Sequence, residues 1–167
     1  MYFIQQRQKD DCGFTCLKMI LATLNKDKNY LFLPQKENHG PYSYTDLVKI
    51  GKEHGVNFSA LKAIEKEGLI NCRSFPFIAT IEKKNGNKHA VIITKIKIGR
   101  VYFTDPMKGN TSLSLKKFID IWDGTGLFIE SYEKKPYPFG KVEQISFASK
   151  FLLGMCQIFS GVFAIIG

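Results

Sequence analysis

A thiol, an imidazole and a carboxylate form a minimal set for nucleophilic acyl transfer, and Cys12, His89 and Asp105 offer one. A cysteine is a weak nucleophile until it ionises, and lowering its pKa from about 8.5 to about 6 takes roughly 3 kcal/mol. A helix N-terminus supplies about 0.3–2 kcal/mol of that, so an imidazolium has to provide the rest. Of the three histidines, His39 lies in a Pro/Gly-rich loop. His54 falls in the last turn of an expected helix beside Gly55, where a cation suits the helix dipole. His89 stands at the start of an expected strand, and Asp105, followed by Pro106, ends the next one sixteen positions later. If residues 89–105 form one hairpin, its ends lie side by side, and the carboxylate can orient the ring and favour its charged form. Taken singly, His89 also reads as a surface residue beside the Asn85-Gly86-Asn87 turn, and Asp105-Pro106 as the start of a turn. The oxyanion of an acyl transfer needs two donors, the Cys12 N–H and a side-chain amide. Gln5, Gln6 and Gln8 are all candidates on local chemistry.

The elements that would position these groups follow from pattern. Cys16, Leu17, Ile20 and Leu24 make an apolar stripe over 12–24, with the Asp11 carboxylate expected as its cap, so Cys12 opens a helix. Residues 25–42, with Pro34, Gly40 and Pro41, read as a loop. Ser43 and Asp46 stand at capping-box spacing before a second helix that Gly55 ends, with Leu47, Ile50 and Gly51 toward the core. An extended VNFSAL, a short helix at AIEKEGL, and strands at FPFIATIEKK, HAVIITKIKI and VYFTDP come next. A helix near Leu115 to Ile121 and a strand from Gly126 to Tyr132 complete an α+β order. Cys16 on the first stripe, Cys72 at a strand entry and Trp122 after an apolar helix face all read as packing residues.

The stretch Gln6-Arg-Gln-Lys-Asp-Asp11-Cys12-Gly-Phe-Thr15-Cys-Leu-Lys-Met19 resembles the cysteine motif of the C39 peptidases. These are papain-like domains fused to bacterial peptidase-containing ABC transporters. His89, Val91, Ile92, Asp105 and Pro106 resemble the family's second motif, and the likeness extends over about residues 1–135. Thr15 stands for the family's alanine, Leu24-Asn25 for an aromatic-glycine pair, Ala90 for a tyrosine and Phe103 for an aliphatic residue. None of these departures removes a bond-making group.

The resemblance implies a papain-like α+β fold with N-terminal helices on an antiparallel sheet. It implies a catalytic Cys12, His89 and Asp105, and selects Gln6 for the oxyanion hole. The implied reaction is removal of a double-glycine leader from a bacteriocin-like peptide, coupled to export. Alternatives from other classes are a non-hydrolytic leader-binding module and a free-standing Cys-His-Asp acyltransferase. No metal or cofactor is expected in the peptidase domain. ATP and Mg are expected only in the nucleotide-binding domain of the full-length protein, which is implied to be a homodimer.

Composition bounds the partners. Lys and Arg outnumber Asp and Glu by 24 to 15, but in short scattered groups that read as solvated faces, so nucleic acid is not expected. The basic balance suits a domain near an anionic membrane. Cysteines 12, 16, 72 and 156 form no CxxC pair, which fits free thiols in a reducing compartment. Residues 1–135 are expected to be the peptidase domain and 136–150 a basic linker. Residues 151–167, FLLGMCQIFSGVFAIIG, carry no charge and read as the start of a truncated transmembrane helix. The lysines before them would mark the cytoplasmic face of the bacterial membrane.

Overall fold

A computed structural model describes residues 1–35 and 41–140. Helix α1 (Cys12–Asn25) buries Phe14, Cys16, Leu17, Met19, Ile20 and Leu21, apolar nearly all round as befits a helix enclosed by the rest of the fold. Helix α2 (Tyr44–Glu53) has the expected capping box: Ser43 accepts from the Asp46 N–H at 3.2 Å, and the Asp46 carboxylate accepts from the Ser43 N–H at 2.9 Å. Gly55 ends this segment at φ +82°, and a Cβ there would lie 2.3 Å from the Glu133 carbonyl, so only glycine fits.

Six strands form one antiparallel sheet: β1 (Val56–Lys62), β2 (Phe77–Glu82), β3 (Lys88–Lys97), β4 (Arg100–Asp105), β5 (Gly109–Ser114) and β6 (Trp122–Tyr132). The order across the sheet is β1-β6-β2-β3-β4-β5. One face, with Ile78, Ala90, Ile92 and Leu127, packs on α1 and α2. The other, with Phe77, Val91, Ile93 and Phe103, packs on α3 (Leu115–Ile121) through Phe118.

The expected α+β class, with helices on an antiparallel sheet, is what the chain adopts. Apart from the Asp11 cap, four local expectations change. The stretch 25–42, expected as a loop, carries a 3₁₀ turn over Lys28–Phe32 that buries Tyr30 and Leu31. The short helix placed at 63–69 is a 3₁₀ turn over Lys66–Asn71, the tighter form usual for so few residues. Strand β5 was not expected, because GNTSLS lacks alternating apolar residues; it is an edge strand with no fully buried side chain. Strand β6 begins at Trp122 rather than Gly126, and Trp122 is buried with its indole N–H donating to the Thr125 carbonyl at 2.8 Å.

Thr15 occupies the position where the family motif has alanine. It is fully buried, and its hydroxyl has no hydrogen-bond partner among the described residues. An orphaned buried hydroxyl costs about 1–3 kcal/mol. Thr15→Val keeps the shape and removes the hydroxyl, so urea unfolding should show a stability gain of about 1 kcal/mol.

Among the described residues no helix is long and apolar enough to cross a membrane. The expected transmembrane start at 151–167, linker residues 141–150, His39 and Cys156 lie outside the described residues.

Candidate active site

Cys12 is the first residue of α1, and α1 packs against β3, so the thiol faces the start of that strand. The first β3–β4 pair is Ile92 with Thr104. Ala90 lies before that pairing begins, and its N–H donates to the Cys12 sulfur at 3.4 Å. Asp105 is one step beyond Thr104, at the same end of the hairpin as His89. The register thus carries the carboxylate to the ring, and Asp105 Oδ1 accepts from His89 Nε2 at 2.8 Å. The Met107 N–H donates to the same oxygen at 2.8 Å, so the carboxylate is held from two sides. Both groups are nearly closed to solvent, His89 at 2% and Asp105 at 6% exposure.

With Nε2 committed to Asp105, Nδ1 is the ring nitrogen left for Cys12. Burial alone would raise the Cys12 thiol, but hydrogen bonds from His89 and from the Ala90 and Gly13 N–H groups, with the imidazolium charge, bring its pKa below the ordinary thiol value. Burial alone would lower His89, yet its bonds to Asp105 and Cys12 raise it above the ordinary imidazole value. For Asp105, burial is outweighed by the bonds from His89 and Met107, and its pKa falls. Cys16 and Cys72 shift the other way, both raised by burial. Among the described cysteines, Cys12 alone lies beside an imidazole and has its thiol shifted toward ionisation.

The Asp11 carboxylate does not cap α1, contrary to expectation. Its backbone lies at φ −99° and ψ 11°, away from the extended geometry of a capping residue. The side chain turns back instead and accepts from the Arg7 N–H at 3.4 Å. Gln6 sits on the segment held by that bond, and its own N–H donates to the Pro106 carbonyl at 2.9 Å. Its amide Nε2 donates one hydrogen to the Gln8 carbonyl at 2.9 Å, which leaves its second hydrogen for another acceptor. Gln5 donates to the Met107 carbonyl at 3.2 Å, and Gln8 is exposed.

Two cavities meet at His89. One of about 400 Å³ is lined by Cys12, Gly13, Tyr42, Tyr44 and Ala90, and Tyr44 is held there by a 2.7 Å hydrogen bond to Thr80. The other, of about 750 Å³, includes Gln6 and His89 but not Cys12. The backbone donors at Ala90 and Met107 were not legible in the sequence, since a main-chain N–H carries no residue signature. His54 is a packing residue, its ring 5.6 Å from that of Tyr30 at a near-perpendicular angle. Among the described residues no cluster of His, Cys, Asp and Glu could hold a metal ion.

The family model described as Peptidase C39 family matches residues 1–134. The chain belongs to the Peptidase C39 family. Its relatives include the lactococcin-G-processing and transport ATP-binding protein LagD of Lactococcus lactis subsp. lactis. That protein is 26% identical over 98% of this chain and 24% of its own length. The transport/processing ATP-binding protein ComA of Streptococcus pneumoniae is 27% identical over 87% of this chain and 21% of its own. The chain thus spans about a quarter of the length of these curated relatives. Among solved structures, the peptidase domain of Streptococcus ComA superposes with a TM-score of 0.63 at 19% identity, covering 75% of this chain and 95% of that one. A double glycine motif protease from an AMS/PCAT transporter, solved with its leader peptide, superposes at 0.62 and 23% identity over 78% of this chain and 91% of that one. The C39 fold is therefore common to all three.

Proposed function

We propose that this chain is a cysteine endopeptidase that cuts one peptide bond after a double-glycine leader, releasing a secreted peptide for export. The observation that carries the reading is the meeting of three groups: Asp105 accepts from His89, and His89 and Cys12 line the same cavity and draw each other's pKa toward the charged forms. The Cys12 thiolate attacks the carbonyl carbon of the second glycine, and the carbonyl electrons move to oxygen. The Cys12 N–H and the Gln6 amide stabilise that oxyanion. His89 gives its Nδ1 proton to the leaving nitrogen as the C–N bond breaks, leaving a thioester on Cys12. Water, deprotonated by His89, then splits the thioester and frees the leader as a carboxylate. Asp105 fixes the ring and its protonation throughout.

Two glycines present no β-carbon, so they suit an approach narrowed by the Tyr42 and Tyr44 rings and by Ala90. An apolar leader helix would bind outside the cleft, where Leu61, Ile64 and Ile70 are exposed. The relatives' names describe processing and ATP-binding transport proteins. From that we infer a peptidase working within an ATP-binding transporter. Its place at the cytoplasmic face of the membrane, in a homodimer using ATP and Mg, is our proposal from the family resemblance.

The test is a mass spectrum of a peptide with a Gly-Gly leader after incubation with the purified chain. Two fragments whose masses sum to the substrate plus one water are expected. An intact peptide would support the leader-binding alternative, and a fragment carrying an added acceptor would support the acyltransferase. Gln6→Ala should lower kcat by about 10²–10³-fold with KM little changed, because its amide acts chiefly on the developing oxyanion.

A further inference from the structure

The larger cavity at His89 is not explained by leader recognition. It lies between the N-terminal segment and the turn joining β2 to β3, and it carries Arg7, Lys9, Lys83 and Lys88 against the single acid Asp10. Lys88 is neutralised by Asp123 at 3.2 Å, but Arg7, Lys9 and Lys83 make no ion pair among the described residues. Lys83 reaches over the Asp105–Met107 turn, its ammonium 3.2 Å from the Met107 sulfur. Positive charge therefore stands on both walls.

The position of Cys12 separates the two halves of a substrate between the cavities. The acyl half stays bonded to Cys12, and the smaller cavity is the one lined by Cys12 and Ala90. The leaving nitrogen breaks from that acyl carbon and takes a proton from His89, which lines both cavities. The larger one, lined by His89 but not by Cys12, is left for it. The two share His89, so an extended chain can run from one into the other.

We propose that the larger cavity holds the peptide segment following the cleaved bond, and that Arg7, Lys9 and Lys83 make it select acidic side chains there. This rests on the peptidase reading above. Acidic residues meet unpaired cations on both walls, neutral ones gain nothing from them, and basic ones are repelled.

Three peptides test it, each with the same Gly-Gly leader followed by four residues that are acidic (Asp/Glu), isosteric amides (Asn/Gln) or lysines. The values of kcat/KM should fall in that order, by about two- to fivefold per charge at low salt. The differences should shrink at about 1 M salt, where the screening length falls to about 3 Å. A Lys9→Glu, Lys83→Glu double variant should reverse the order while cleaving the amide peptide within about twofold of the parent. Equal rates for the three peptides, or faster cleavage of the lysine peptide by the parent chain, would overturn the subsite and leave the peptidase standing. Cleavage of none of them would overturn the peptidase reading and the subsite with it.

Discussion

Cys12→Ala is expected to abolish leader cleavage, a loss on the order of 10⁴-fold or more in kcat, while the fold and leader binding persist. Cys12 is half-buried at the head of α1, packed on the edge of the apolar core, and its sulfur accepts from the Ala90 N–H beside His89. Losing the sulfur therefore removes the proposed nucleophile and costs little packing. Thermal unfolding should be almost unchanged, and a labelled leader should bind with similar affinity. Retained turnover would mean that another group attacks the substrate. Cys16 and Cys72, whose thiols are raised by burial, are poor replacements.

Asp105→Asn is the second large effect, with kcat/KM expected to fall on the order of 10³-fold at neutral pH. The amide keeps the shape and can still accept from the Met107 N–H, so folding should survive. It no longer supplies the charge that, against burial, holds the His89 pKa up. The pH profile carries the sign. In the parent chain the acid limb follows ionisation of Cys12, lying below the ordinary thiol value, and the alkaline limb follows loss of the His89 proton, lying above the ordinary imidazole value. In the variant His89 loses its proton at lower pH, so the alkaline limb moves down. With less imidazolium beside it, Cys12 ionises at higher pH, so the acid limb moves up. The bell should narrow from both sides, and a purely structural loss would lower it without moving its limbs.

The helices were legible because their signals are local. The Ser43 and Asp46 capping box and the apolar stripe behind Cys12 announced α2 and α1 within one or two turns. The β3–β4 hairpin was legible for the same reason, and through it so was the meeting of His89 with Asp105 sixteen residues away. The approach of Cys12 to that pair could not be read from spacing, since it depends on α1 packing across β3. It was implied only by the resemblance of the two motifs to a known family. Asp11 misled for a physical reason. An acid before a helix favours capping when solvent is the alternative, but here the Arg7 N–H competes for it. Strand β5 escaped because an edge strand needs backbone pairing and not an apolar pattern, and its partner β4 supplies that pairing.

If the proposed site is right, His89 holds Cys12 as a thiolate at neutral pH. Limited iodoacetamide alkylation across a pH series, with the labelled cysteine located by mass spectrometry, tests it directly. Cys12 should be modified first, with a rate that already rises below the ordinary thiol pKa and loses that advantage in His89→Ala. Labelling of Cys72 as fast as Cys12, or a Cys12 rate indifferent to removal of the imidazole, would contradict it.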